Sequence, residues 1–565
     1  MKFHRRHYLY VNYLREGFRR FSVRAAATLY SMPFRAFQVP EKLIVAPTDI
    51  RAIDPYIAEE IFAGRFPLAG RVLNTGGRSP FVLELPTRDF ALRLHAFGWL
   101  RHVRATKSDT HCANARKILN EWIQIHGQSA SGIGWEPDIV AQRIIAWLSH
   151  SPVVLKGAEI GFYKRFLKSL VAQIRYLQRI SGHLELGEPR FRCMIALALA
   201  SISLPARHSV IKRAADRLNH EIDQQILPDG VHISRNPRVI LDLLLDLLPL
   251  RQTYVNLGHD VPARLIPAID RMYPALRFFR HNSGELALFN GATATLANEM
   301  LAVLRHDETS GQPYKVLRSS SFHRLSVKNT TIIMDTGVPL SQELSKTAHA
   351  GCLSFEMSSG QNRFIVNSGA PRFAGQNFKQ LARVSAAHST VVLNDTSSMQ
   401  ILESFFLGPL AISGITEAIV LHHDVLPESE SLAARHNGYL DDFGLLYERD
   451  ITVLSGGHTV RGRDRFLKAD GKEPDDTDKS IAVARFHIHP GIDVQSLGKH
   501  HARLTAADGE VWTFSCIDSE IQIADDVFFA DPSGVRKSQQ FEIEYVVGSI
   551  PEIQWVLECE TAVSR

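Results

Sequence analysis

Residues 162–180 read FYKRFLKSLVAQIRYLQRI, and the spacing of the apolar side chains in this run decides the class of the N-terminal half. Phe162, Phe166, Leu170, Ile174, Leu177 and Ile180 follow one another at intervals of three or four residues, which places all six on one face of an α-helix. The same period recurs over 140–147, 191–204, 211–226 and 239–250. Short connections such as Ser181-Gly182 and Pro228-Asp229-Gly230 separate these runs, so successive helices are expected to pack as antiparallel pairs in an all-α layer.

Beyond about Gly311 the texture changes to β-branched and aromatic runs broken by turn residues. Residues 330–335, 353–357, 363–366 and 390–393 read as short strands, with Ser359-Gly360-Gln361 and Ala507-Asp508-Gly509 as hairpin turns. Closely spaced antiparallel strands predict a sandwich, and the polar segment 468–480 predicts an exposed loop. The expected architecture is therefore α then β: a basic tail over 1–45, a helical domain over 46–310 and a β-sandwich over 311–565.

Composition narrows the function classes. The 565 residues are 45% apolar and 22% charged, close to globular averages, which excludes a fibrous or bulk-disordered chain. The first 25 residues carry Lys2, Arg5, Arg6, Arg15, Arg19, Arg20 and Arg24 against Glu16, a local charge of +6 within a chain of +5. The rest is therefore close to neutral, which argues against a nucleic-acid partner. No apolar run reaches the roughly 20 residues that span a bilayer, and the basic start lacks the h-region of a secretory signal. Five scattered cysteines with no C-x-x-C pair suit a reduced compartment. Cytoplasmic residence is the expectation, with periplasm or cell envelope as the alternative.

The sequence contains no P-loop, no G-x-G-x-x-G after a strand, no G-x-S-x-G and no H-E-x-x-H. What remains is a set of histidines at turns and strand starts. His183 and His232 each follow a short loop between helices, where an imidazole can act as general base or simply sit at the surface. His349, Asn367 and His388 lie at or before successive strands, and His487 and His489 share one strand face. Two imidazoles and an oxygen could hold zinc or could serve as hydrogen-bonding groups of the sandwich. Trp135, with Arg143, offers either a sugar-stacking face and a carboxylate grip or a core ring and a helix-surface cation.

At these same positions the chain resembles the heparinase II/III superfamily of polysaccharide lyases. The run Thr347-Ala348-His349-Ala350-Gly351-Cys352-Leu353-Ser354-Phe355 is similar to that family's H-x-H-A-D-x-x-S-F. The resemblance continues through Asn367-Ser368-Gly369, Ala387-His388-Ser389 and His436-Asn437-Gly438-Tyr439, and in the helical half through Gly182-His183-Leu184 and Asp229-Gly230-Val231-His232 to Pro237. It implies an incomplete (α/α) toroid followed by an antiparallel β-sandwich, and cleavage of a uronic-acid-containing polysaccharide or oligosaccharide by β-elimination. In that chemistry one group neutralises the carboxylate, a base takes the C5 proton, and an acid, commonly Tyr, protonates the leaving oxygen.

By resemblance His183 is the base or neutraliser, and Trp135, Arg143, Arg235 and Asn236 meet the substrate. Several family positions differ here: Val239 stands at the family Tyr, Ile240 at the following His, Gly182 at the Asn, and Thr347 at the first His of the H-x-H run. Tyr439 or His232 would have to replace the missing acid. Asn367 stands between His349 and His388 where metal-binding members carry Asp, so no cofactor is required and zinc is expected to bind weakly or not at all. Two readings follow: a lyase of acidic polysaccharide, or a non-catalytic acidic-glycan-binding or polysaccharide-biosynthesis-associated protein that lost the acid.

Overall fold

A computed structural model describes residues 2–30, 39–106, 108–309, 311–341 and 343–561; part of the expected basic tail, residues 1 and 31–38, lies outside them. The chain forms two compact units. One contains residues 1–226, 241–270 and 298–308, and the other 227–240, 271–297 and 309–565. The division is thus not a single cut near 310, because the chain passes between units within the helices Pro237–Asn256 and Leu265–Phe279.

The first unit is helical. Helix Ile160–Ile180 buries Phe162, Phe166, Leu170, Ile174, Leu177 and Ile180, the six positions on the stripe. It packs with Pro137–Ser149 and Glu188–Ser203. Helix Glu188–Ser203 is buried on nearly all sides, so it is the centre of the layer, while His208–Gln225 buries only Leu218, Glu221, Ile222 and Gln225 and forms its rim. Pro at the first or second helical position of Pro137–Ser149 and Glu188–Ser203 sets their starts, where its missing N–H costs nothing. Among the described residues no helix is long and apolar enough to cross a membrane.

Besides a two-stranded sheet formed by Met399–Leu402 and Leu410–Gly414, the second unit carries two large antiparallel sheets. One runs Ala418–Val425, Glu430–His436, Leu445–Leu454, Thr459–Lys468, Glu552–Thr561, Val511–Cys516, His501–Ala506, Ile492–Ser496. The other runs Ile521–Asp531, Gly534–Val546, Ile481–Ile488, Asn362–Val366, Phe355–Ser359, Thr330–Asp335, Phe322–Val327, Val316–Leu317, with Val391–Leu393 paired to Ile481–Ile488. Alternate residues of Val511–Cys516 and His501–Ala506 are buried, as the two-residue period of a one-sided strand requires. Inward rings of this sheet meet those of the opposite one: Trp555 of Glu552–Thr561 and Phe355 stack at 5.5 Å, and Phe514 lies 5.0 Å from Phe486. The layers are thus sealed by aromatic burial.

The strand expected from residue 353 begins at Phe355 instead. Leu353 takes a left-handed φ of 61°, which ends extended geometry there and turns its carbonyl to the Arg449 guanidinium at 2.9 Å.

Candidate functional site

Arg143 and Trp135, expected at a sugar-binding surface, are inside the helical unit. The Arg143 guanidinium lies 4.0 Å from the Trp122 ring centre and 5.8 Å from that of Trp135. It donates to Gln173 Oε1 at 2.7 Å, to the Gly134 carbonyl at 2.7 Å and to the His95 carbonyl at 3.0 Å. Trp135 donates its indole N–H to the His126 carbonyl at 2.7 Å, and Tyr176 donates its hydroxyl to the Trp135 carbonyl at 2.8 Å. His95 accepts the Trp122 indole N–H at 2.9 Å, and burial, aided by His126 and Arg143, pushes its pKa down to about 3. These residues form a cation–π knot that holds three segments together. The substrate-contact reading is corrected for both: neither side chain reaches solvent. His183, by contrast, ends the short 3-10 turn Ser181–His183 and is exposed.

In the second unit, residues 227–240 are fastened onto the sandwich. Gly230 has φ +87°, and a Cβ there would lie 2.0 Å from the Arg271 carbonyl oxygen, so only glycine fits this turn. Asp229 accepts from Ser320 N–H at 2.8 Å and Ser320 Oγ at 2.9 Å. His232 is buried, takes the Ser234 N–H on Nδ1 at 3.1 Å, and is pushed down to about 3 by desolvation. Arg235 pairs with Asp335, donates to the Ser320 carbonyl at 2.8 Å and covers the Phe322 ring at 4.6 Å. Asn290 completes that cluster by donating to Asp335 at 3.0 Å. Asn236 Oδ1 accepts the Arg238 N–H at 2.9 Å, closing the turn before Pro237–Asn256. Arg235 is therefore a neutralised strut, a correction to its expected role on a substrate carboxylate.

Tyr439, the second candidate acid, is fully buried in the sandwich. Its hydroxyl donates to the Val391 carbonyl at 2.8 Å, and burial pushes its pKa up. That position contradicts the expectation of a solvent-facing proton donor. The role is blocked because the phenol is locked between the layers, its ring beside His436 and Phe466.

The structure brings His349 and His388 together, with Nδ1 of the first 3.2 Å from Nε2 of the second. His388 Nδ1 donates to the Val384 carbonyl at 2.8 Å, which leaves Nε2 as acceptor and makes His349 Nδ1–H the donor. Burial holds His388 down at about 4 and His349 well below its ordinary value. Asn367 accepts the Ser389 N–H on Oδ1 at 3.0 Å, and its Nδ2 is buried without an acceptor. That remaining amide atom is a donor, unsuited to a cation. No group of three His, Cys, Asp or Glu side chains able to hold a metal occurs among the described residues. The donor set fits zinc poorly.

The sequence reading missed the charges that organise each interior. In the sandwich Arg449 and Asp464 are cross-strand partners, bonded at 2.6 and 3.0 Å, with Tyr447 and Trp555 also donating to Asp464. Glu356 accepts from His281 at 3.0 Å and Arg363 at 2.9 Å. In the helical unit Arg192 is enclosed by Asp138, Glu188 and Asp246. A charge at an inward strand position, as at Arg449 and Asp464, is the signal that could have found the first pair.

Comparison with known proteins agrees with this architecture. A family model described as "Heparinase II/III-like, C-terminal" matches residues 309–556. FtsZ-localized protein C of Caulobacter vibrioides (strain NA1000 / CB15N) is 29% identical over 461 residues, covering 80% of this chain and 78% of that protein. Among solved structures, heparinase III superposes with a TM-score of 0.69 at 12% identity, over 95% of this chain and 89% of that one. A mutant of the heparan sulfate lyase HepC from Pedobacter heparinus gives 0.61 at 16%, over 97% and 90%. At such identities the likeness to solved structures is one of fold, a helical toroid followed by antiparallel β-sheets. Residues 309–556 thus match the heparinase II/III-like C-terminal family model, and the chain shares the fold of the heparinase III structures.

Proposed function

We propose that this polysaccharide-lyase-like protein recognises an acidic glycan without cleaving it. The observation that carries the reading is the loss of a reachable proton donor. Elimination requires an acid positioned at the leaving oxygen, and Val239, which cannot transfer a proton, stands where the resemblance to the lyases places their Tyr. The two substitutes are both enclosed: Tyr439 is bonded to a backbone carbonyl in the sandwich core, and His232 is desolvated to a pKa of about 3. Neither can supply a proton to a bound sugar from these positions.

Glycan recognition is supported by the helical unit. A cleft of about 420 Å³ is lined by Ser181 and Gly182, beside His183, and by Arg179, Arg190, Arg213, Arg217 and His220 together with Asp216 and Glu221. Guanidinium groups match carboxylate and sulfate geometry bidentately, although Arg190 is already paired with Glu221. The relative's name, FtsZ-localized protein C, describes a location and not a reaction, which favours a recognition role. Cytoplasmic residence is part of the proposal, supported by five scattered cysteines with no C-x-x-C pair.

The test is incubation of the purified chain with alginates, glycosaminoglycans and polygalacturonate, followed by ultraviolet absorbance and calorimetry. Binding without formation of an unsaturated uronate is expected, with weakening in Arg213→Ala or Arg217→Ala. The exposed His183 favours the second reading, a lyase with a recruited acid. Turnover abolished by His183→Ala establishes that reading and refutes the first.

A further inference from the structure

The N-terminal helix Lys2–Tyr30 packs on helix Ile160–Ile180 of its own unit, and it does so with its polar side inward. Glu16 on its inner side is buried, bonded within the helix by Arg19 and Arg20 at 2.6 and 2.7 Å, and Arg19 reaches Glu185 at 3.6 Å. The apolar side faces out. Tyr10, Leu14, Phe18 and Phe21 are 63%, 59%, 73% and 69% exposed, and their steps of four, four and three residues place them on one stripe. A helix solvated on its outer face presents the reverse pattern. Arg15 and Arg24, both exposed, flank the stripe.

We propose that this face docks on an anionic phospholipid surface. Aromatic and leucine side chains bordered by arginine are the composition that lies in the headgroup plane, with the rings in the acyl boundary and the guanidinium groups among the phosphates. Charge selects this occupant over a second copy of the chain. The first 25 residues carry +6, so two such faces brought together would oppose like charges across the stripe, whereas an anionic leaflet attracts each arginine. The helix does not span: it lies flat, linked to its unit by the Arg19–Glu185 pair. This inference is independent of the glycan reading, since none of its residues lines the arginine cleft.

The test is co-sedimentation of the full chain with vesicles of phosphatidylcholine alone or mixed with phosphatidylglycerol. Pelleting with the mixed vesicles only, weakened by salt, is expected. Phe18→Ser with Phe21→Ser lowers partitioning by about tenfold or more per ring while leaving the melting temperature unchanged, because both rings are exposed. Arg15→Gln with Arg24→Gln reduces the salt dependence and keeps residual binding. The proposal is overturned if the chain stays in the supernatant with mixed vesicles, or if the double Phe variant pellets like the native chain. It is equally overturned if ultracentrifugation shows a dimer that the double Phe variant dissolves while vesicles bind neither form.

Discussion

Replacing Asn367 by Asp should convert the paired imidazoles into a zinc site, and the size of the effect follows from the geometry. Two nitrogens held about 2.0–2.1 Å from one tetrahedral zinc stand about 3.3–3.4 Å apart, and His349 Nδ1 and His388 Nε2 are already 3.2 Å apart. Both imidazoles are held neutral by burial, His388 at about 4, so zinc has to displace only the Nδ1–H that His349 donates to His388. The missing element is an anionic oxygen. An Asp keeps the bond from Ser389 N–H that Asn367 Oδ1 now accepts and replaces the unsatisfied Nδ2 with a second oxygen. Without metal, that carboxylate is buried close to Glu356, which accepts the Asn367 N–H at 3.0 Å. We expect the metal-free variant to lose about 2–3 kcal/mol, or about 4–12 °C in melting temperature. Zinc at a thousand times its dissociation constant restores about 4 kcal/mol. Scanning calorimetry of native and Asn367→Asp chains, each with zinc and with chelator, reads this directly. The reasoning is refuted if the native chain gains as much from zinc as the variant, or carries stoichiometric zinc on elemental analysis.

Tyr439→Phe removes the hydroxyl bonded to the Val391 carbonyl and should cost about 1–3 kcal/mol of stability while leaving glycan binding unchanged; altered binding with intact stability returns Tyr439 to the site. Arg143→Met leaves the Gly134 and His95 carbonyls and the Gln173 amide oxygen without their donor and should cost on the order of 3–5 kcal/mol, measured by urea unfolding. A cost below about 1 kcal/mol is incompatible with a structural cation–π knot. Acid sensitivity has a defined window. His95, His232 and His436 are pushed down to about 3 and His388 to about 4, all by burial first, so their folded pKa values lie below the unfolded 6.5. The unfolded chain then binds more protons as pH falls from 6.5 towards 4, and the stability held by the neutral imidazoles is lost across that interval. Melting temperature should fall steadily between pH 7 and pH 5, and a flat profile contradicts the assignment.

How much was legible varied by element. The stripe from Phe162 to Ile180 was readable because helix burial repeats every three to four residues whatever lies opposite, and the strand 330–335 matches Thr330–Asp335 as a short β-branched run buried at all six positions. The pairing of His349 with His388 was anticipated through family motifs, and their contact at 3.2 Å agrees with it. The roles of Arg143, Arg235 and Tyr439 were not legible. Each is a residue type common at polysaccharide sites, and nothing within a few positions of it reveals whether it points at solvent or at the core. The N-terminal helix shows the same limit from the other side. Its charge was evident, but its polar-side-inward docking depends on Glu185, far along the chain.

The sequence alone determined that the chain has a helical part followed by a stranded part and that its body is close to neutral beneath a basic start, since periodicity and charge are local properties. Tertiary structure alone decided which polar side chains are enclosed. Arg235 meets Asp335 across 100 residues of sequence, His281 meets Glu356 across 75, and Tyr439 reaches Val391 across 48. Desolvation is set by whatever remote segment covers a group, and it is desolvation that turned the candidate acids and cations of a lyase into the struts of a fold.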